Sequence, residues 1–132
     1  MESLLDITVR SSDIDLNGHL NHVRYVEFME RGRKAWYELI HFPLESFHSQ
    51  GIMTSIVNIN MNFRRECHEH DALQVVTKPV KVGRSSYVFD QTIINSDQLV
   101  CADARVTCVI MNLATRQSTS VPDKLRSHFP SE

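Results

Sequence analysis

Residues 21–40 read "NHVRYVEFMERGRKAWYELI", and the periodicity of this stretch decides the fold. Tyr25, Phe28, Met29, Gly32, Ala35, Trp36, Leu39 and Ile40 recur at i, i+3, i+4 and i+7 spacing, which draws one stripe along an α-helix. On the opposite face Glu27 precedes Arg31, and Glu30 precedes Lys34, as acid-first pairs four residues apart. A helix over 21–40 measures about 30 Å, enough to cross a small domain. Gly32 sits in the middle of the stripe, where glycine costs about 1 kcal/mol against alanine. Its presence there predicts that another layer approaches the helix closely.

The flanking segments supply that layer. "LDITVRS" (5–11) alternates as a strand does, and "SIVNINMNFR" (55–64) sets Val57, Ile59, Met61 and Phe63 against Asn58, Asn60 and Asn62. The asparagine face is expected to meet water. "LQVVTKPVKV" (73–82) is a further strand, in which Pro79 marks an edge or a bulge. "SYVFDQTIIN" (86–95) and "LVCADARVTCVIM" (99–111) complete the set. "VGRS" (82–85) and "NSDQ" (95–98) are turn sequences, so successive strands pair as antiparallel hairpins. One long helix against a five-stranded antiparallel sheet is an α+β arrangement.

Composition narrows the function. A chain of 132 residues accommodates one domain, and 42% hydrophobic residues support a packed core. A net charge of −2 offers no case for a nucleic-acid partner or an acidic membrane surface. No apolar run reaches the roughly 20 residues of a membrane span, and no signal peptide is evident. Cys67, Cys101 and Cys108 are odd in number and lack CxxC spacing, which points to free thiols in a cytoplasmic protein.

The chemistry concentrates just before the helix, in "DIDLNGHLNH" (13–22). Asp13, Asp15, Asn17 and Gly18 copy the first half of a calcium loop. The bidentate acid that such a loop needs at its twelfth position is replaced by Arg24, and a strand precedes it instead of a helix. The catalytic reading fits better. A helix N-terminus offers free N–H groups and partial positive charge, which hold a carbonyl oxygen and the oxyanion derived from it. Asp15 on the approach could then attack a bound carbonyl or activate water, with His22 at the first turn. On spacing alone, an N-cap from Asn17 or Asn21 with a purely structural Asp15 is an equal alternative. "CHEHD" (67–71) joins two strands and reads as a solvated turn, not a zinc site, because adjacent residues point apart.

The segment "DIDLNGHLNHVRYVEFMERGR" resembles the signature of the 4-hydroxybenzoyl-CoA thioesterase family of hotdog-fold proteins. Asp15, Gly18, His22, Tyr25, Glu30 and Arg33 occupy the signature places, and the likeness continues through "VGRSSYVFDQTIIN" to "VPDKLRSHF". The resemblance implies a single hotdog thioesterase domain over 1–132, with Asp15 as nucleophile or general base. It implies hydrolysis of an acyl thioester in lipid metabolism, with no metal, and with CoA only as part of the substrate. Gly18, Tyr25, Arg84, Ser85 and Ser86 would contact that substrate, the last three at the pantetheine arm or phosphates. Family members pair into dimers with a continuous sheet and sites at the interface, or into tetramers. Asn17 and His19 instead resemble the Asp-x-Asn-x-His element of plant acyl-ACP thioesterases, where Glu66 would be a further acid. Three expectations stand together: an acyl-CoA thioesterase, an acyl-ACP thioesterase, or a hotdog protein that binds acyl-CoA without cleaving it.

Overall fold

The computed structural model describes residues 1–130. In chain order it has β1 (Ser3–Thr8), α1 (His22–Leu39), α2 (Leu44–Ser49), β2 (Ile52–Phe63), β3 (Ala72–Val82), β4 (Ser86–Ile94), β5 (Val100–Asn112) and α3 (Asp123–Arg126). The strands form one antiparallel sheet in the order β1-β3-β4-β5-β2. This is the hotdog arrangement, with α1 wrapped by the sheet.

The anticipated strands all form, with shifted ends. β1 stops at Thr8, not Ser11, because a 3-10 turn at Ser11–Asp13 redirects the chain toward α1. Pro79 lies next to a register slip between Pro79 and Lys81, and β1 stops opposite Thr77, so Pro79 sits both at a bulge and on a locally unpaired side of β3. A bulge between Ile56 and Asn58 divides β2. Beyond it, Asn58, Asn60 and Asn62 pair with Thr107, Arg105 and Asp103 on the exposed sheet face. α2 and α3 were not anticipated; at six and four residues they are too short to show a helical period.

α1 buries Tyr25, Phe28, Met29, Gly32, Arg33, Trp36 and Tyr37. Relative to the expected stripe, Arg33 and Tyr37 enter the core while Leu39 is exposed. The shift follows from 3.6 residues per turn, which rotates a long contact line across neighbouring positions. The expected Glu27–Arg31 and Glu30–Lys34 pairs do not form among the described residues. Glu27 instead accepts from Arg24 at 2.7 Å, and the Arg31 guanidinium lies 6.0 Å from the Phe28 ring centroid. Gly32 meets the sheet as its position implied. A Cβ there would lie 2.6 Å from Val75 Cγ1, 3.0 Å from Thr77 Oγ1 and 3.1 Å from the Gln91 amide nitrogen. Gln91 fastens the layers at this point, donating to the Met29 carbonyl (2.8 Å) and to Thr77 Oγ1 (2.9 Å) while accepting from Arg33 (3.0 Å).

The far end of α1 is an aromatic knot. Trp36 packs edge-on to Tyr37, Phe89 and Phe129, and Tyr37 packs on Phe47. The Tyr37 and Tyr87 hydroxyls hydrogen-bond at 2.6 Å, and Thr54 joins them. Such pairings satisfy buried hydroxyls that would otherwise cost desolvation free energy.

Candidate active site

The segment before α1 is a small hairpin. Ile14 and Leu20 form an antiparallel bridge, and the Asp15 N–H donates to the His19 carbonyl at 3.0 Å. Gly18 donates to the Asp15 carbonyl at 3.1 Å and has φ +83°, a value that glycine takes without a Cβ penalty. The Asp15 carboxylate accepts from the Asn17 N–H at 2.8 Å through Oδ1, closing an Asx turn. Its Oδ2 takes no hydrogen bond among the described residues. The hairpin is pinned to the body where the Leu20 N–H donates to the Cys67 carbonyl at 2.7 Å.

The calcium-like spacing has a local explanation. Asp13 accepts from the Arg10 N–H (2.9 Å), lies 3.4 Å from the Arg24 guanidinium, and offers its carbonyl to Asn21 (2.9 Å). The two aspartates therefore shape the turns, and Arg24 is tied to the first of them.

Asn21 is the N-cap of α1, its side chain accepting from the Val23 N–H at 3.1 Å. The N–H of His22, the first helical residue, finds no acceptor among the described residues. It is the free donor that a helix start leaves for a ligand.

An open cavity of about 330 Å³ lies over this junction, lined by Asp15, Asn17, His19, His22, Tyr25, Phe63 and Glu66, with Leu20, Arg64 and Arg65. The fold thus gathers Asp15, Asn17, His19, His22 and Tyr25 into one cleft, together with Glu66 from the β2–β3 connection, whereas Gly18 is not in its lining and the signature residues Glu30 and Arg33 line a different cavity. Phe63 was not anticipated as a wall. It stands edge-on to His22 and Tyr25, with centroids at 6.3 and 5.3 Å. Its place as the last residue of the alternating strand was the available signal.

The candidates differ in their freedom. The Tyr25 hydroxyl donates to the Arg65 carbonyl at 2.9 Å, and burial holds its pKa well above the ordinary 10.0. It is a fixed neutral donor at physiological pH. His19 Nδ1 lies 3.3 Å from the Leu20 carbonyl, whereas the His22 ring is exposed. Glu66 pairs with His68 at 3.1 Å, and no hydrogen bond joins it to Asp15, Asn17 or His19 among the described residues. The 67–71 segment is a turn, with the Asp71 N–H donating to the His68 carbonyl at 3.1 Å and His70 at φ 74°. Burial raises the Cys67 thiol pKa, which leaves it protonated and unsuited to nucleophilic attack.

Arg84, Ser85 and Ser86 lie elsewhere in this chain. Their turn leads into Tyr87, which touches Tyr37, fifteen positions along α1 from His22, or about 22 Å of helix. Arg126 clamps the turn by donating to the Gly83 and Arg84 carbonyls at 2.8 and 3.2 Å, and the Arg84 side chain is exposed.

No helix among the described residues is long and apolar enough to cross a membrane. The chain is 32% identical over 124 residues to the long-chain acyl-CoA thioesterase FadM of Escherichia coli K12, covering 91% of each. It is 22% identical over 123 residues to the acyl-CoA thioester hydrolase YbgC of Escherichia coli O6:H1, covering 93% of this chain and 92% of that one. Its backbone superposes on Slr0204, a 1,4-dihydroxy-2-naphthoyl-CoA thioesterase from Synechocystis, with a TM-score of 0.90 at 18% identity, over 97% and 95% of the two chains. Residues 9–129 match the thioesterase-like superfamily, and the chain belongs to that family.

Proposed function

We propose that this chain hydrolyses acyl-CoA thioesters to a carboxylic acid and free CoA, with Asp15 as the acting carboxylate. The observation that carries this reading is the meeting of Asp15 and His22, the first residue of α1, in the lining of one open cleft. It is supported by the names of two relatives, an acyl-CoA thioesterase and an acyl-CoA thioester hydrolase. The thioester carbonyl would accept from the His22 N–H, so the negative charge that grows on its oxygen meets the positive end of α1. Asp15 would then attack the carbonyl carbon, or draw a proton from a water that attacks it. In either course the C–S bond breaks, the thiolate takes up a proton, and water supplies the second carboxyl oxygen. His22 would orient the water or carry the proton, with His19 as the alternative. The chemistry draws on a carboxylate, water and backbone donors, and CoA enters only with the substrate.

We also propose that a second copy completes the site. Among the described residues β2 pairs only with β5, and this edge strand carries the exposed Ile56, Val57 and Ile59. An open edge of twelve residues is an invitation to pairing, and a second β2 running antiparallel would close it. Such two-fold pairing sets the two α1 helices antiparallel and brings the 83–86 turn of one copy toward the Asp15 of the other. That is where Arg84 and the turn N–H groups would serve CoA phosphates or the pantetheine arm.

The test is thiol release from a panel of aliphatic and aromatic acyl-CoAs, run beside matched acyl-ACPs. Release from acyl-CoAs that exceeds release from the acyl-ACPs is expected. No release from any substrate, with acyl-CoA still bound, would leave a binding protein in place of an enzyme.

A further inference from the structure

We propose that the cavity between α1, α2 and β2 is an acyl-tail subsite whose buried Arg33 selects acyl groups bearing a carboxylate at their far end. The proposal rests on the thioesterase reading and names its substrate class.

This cavity, about 460 Å³, is distinct from the Asp15 cleft. Phe47, Leu44, Met53 and Ile56 give it apolar walls, and Tyr37 and Thr54 bring hydroxyls. Arg33 also lines it, although the residue is only 7% exposed. It is the only charged side chain among the buried described residues. No carboxylate lies within 4 Å of it among them. Its single hydrogen bond there runs from Nη1 to the neutral Gln91 amide, leaving other guanidinium donors without a protein acceptor. None of its nitrogens is sealed from solvent without a partner, so the unbonded donors are open to a ligand in the cavity that Arg33 lines, and a carboxylate is the group that fits its planar fork. Arg31 and Lys34 at the cavity outnumber Glu30, which adds attraction for an anion.

The proposal takes the acyl tail from the Asp15 cleft along α1 and β2 to this cavity. Phe63 lies beside His22 at one end, and Ile56 shares the cavity with Arg33 at the other, so β2 runs antiparallel alongside α1. By position in the chain, Val26 on the helix and Ile59 on the strand fall between these two ends, 37% and 41% exposed. From His22 to Arg33 the helix rises about 16 Å, the length of an extended chain of roughly a dozen carbons. A carboxylate at the end of such a chain would meet the guanidinium as the thioester meets the helix start.

The experiment compares kcat/KM for plain acyl-CoAs with that for the mono-CoA thioesters of dicarboxylic acids of equal length, from about eight to sixteen carbons. The wild type is expected to favour the carboxyl-bearing member at least tenfold at some length within the series. Arg33→Met should bring that ratio to one or below, and Arg33→Lys, which keeps a cation without the fork, should give an intermediate ratio. A wild-type ratio at or below one at every length overturns the proposal, and that result needs no variant to fold. An unchanged ratio in either variant also overturns it, as does inhibition by free fatty acids without any preference among the thioesters. Activity on plain acyl-CoAs with no such preference would defeat the subsite alone, whereas absent thiol release from every substrate would defeat the thioesterase reading first.

Discussion

The two ends of α1 are built on opposite terms. At its C-terminal end Trp36, Tyr37, Tyr87, Phe89 and Phe129 interlock with almost no exposure, and each hydroxyl among them has a partner. At its N-terminal end the side chains of Asp15 and His22 face an open cleft, and the first helical N–H is unspent. One end spends its polar groups on cohesion, and the other leaves them available. A single rigid helix links the two, so the packed end holds the open end in position without enclosing it. That separation predicts that rate and stability respond to different residues.

Trp36→Ala should strike hardest, removing about 3–5 kcal/mol of stability by leaving a large void in the aromatic knot. Urea unfolding measures it, and a loss under about 1 kcal/mol would mean that the knot does not anchor the helix. His22→Ala should lower kcat/KM by roughly 100-fold with little change in melting temperature, while His19→Ala does less. A reversed order would assign the proton work to His19. Gly32→Ala sits between the two ends and should cost about 1–3 kcal/mol, because a methyl meets Val75 at 2.6 Å and the gain in helix propensity only partly offsets the overlap. An unchanged or raised melting temperature would show that the layers part easily.

The smallest effect belongs to the exposed sheet face. The Arg64 guanidinium beside Asp103, at 2.8 Å, holds that carboxyl below its ordinary value. A folded-state pKa that is lowered contributes stability above the unfolded value of about 4, lost as pH falls through the lowered value. Asp103→Asn should therefore lower the melting temperature slightly at neutral pH and not at all in strong acid. A difference that persists in acid would point to a cause other than charge.

Much of this arrangement is legible in the sequence. The 3.6-residue period of Tyr25, Phe28, Met29, Gly32 and Trp36 places the helix, and Gly32 announces the sheet behind it. Alternation in 55–64 and 99–111 places two strands, and the turns at 82–85 and 95–98 mark the β3–β4 and β4–β5 hairpins, while the pairing of β2 with the distant β5 carries no turn signal. The Asp15–Gly18–His22–Tyr25 spacing marks the junction where the cleft opens. Other features escape a linear reading for physical reasons. Arg33 falls outside the apolar stripe that the period draws, and its burial depends on Gln91, fifty-eight residues away, as a partner. α2 is too short to declare itself, and with it goes the wall of the second cavity. The Arg84 turn looks close to the active site by function and lies near the other end of α1 by topology. Only the pairing of whole chains would bring them together.

The central claim is that Asp15 performs chemistry and does not merely shape its turn. The direct measurement is the rate of thiol release by Asp15→Asn beside the wild type, with the melting temperature of both. Asparagine retains an oxygen that can accept from the Asn17 N–H, so the hairpin should persist. The account predicts a melting temperature within a few degrees of wild type and a rate lower by at least about 100-fold. A variant that folds as well and releases thiol at the wild-type rate would contradict it.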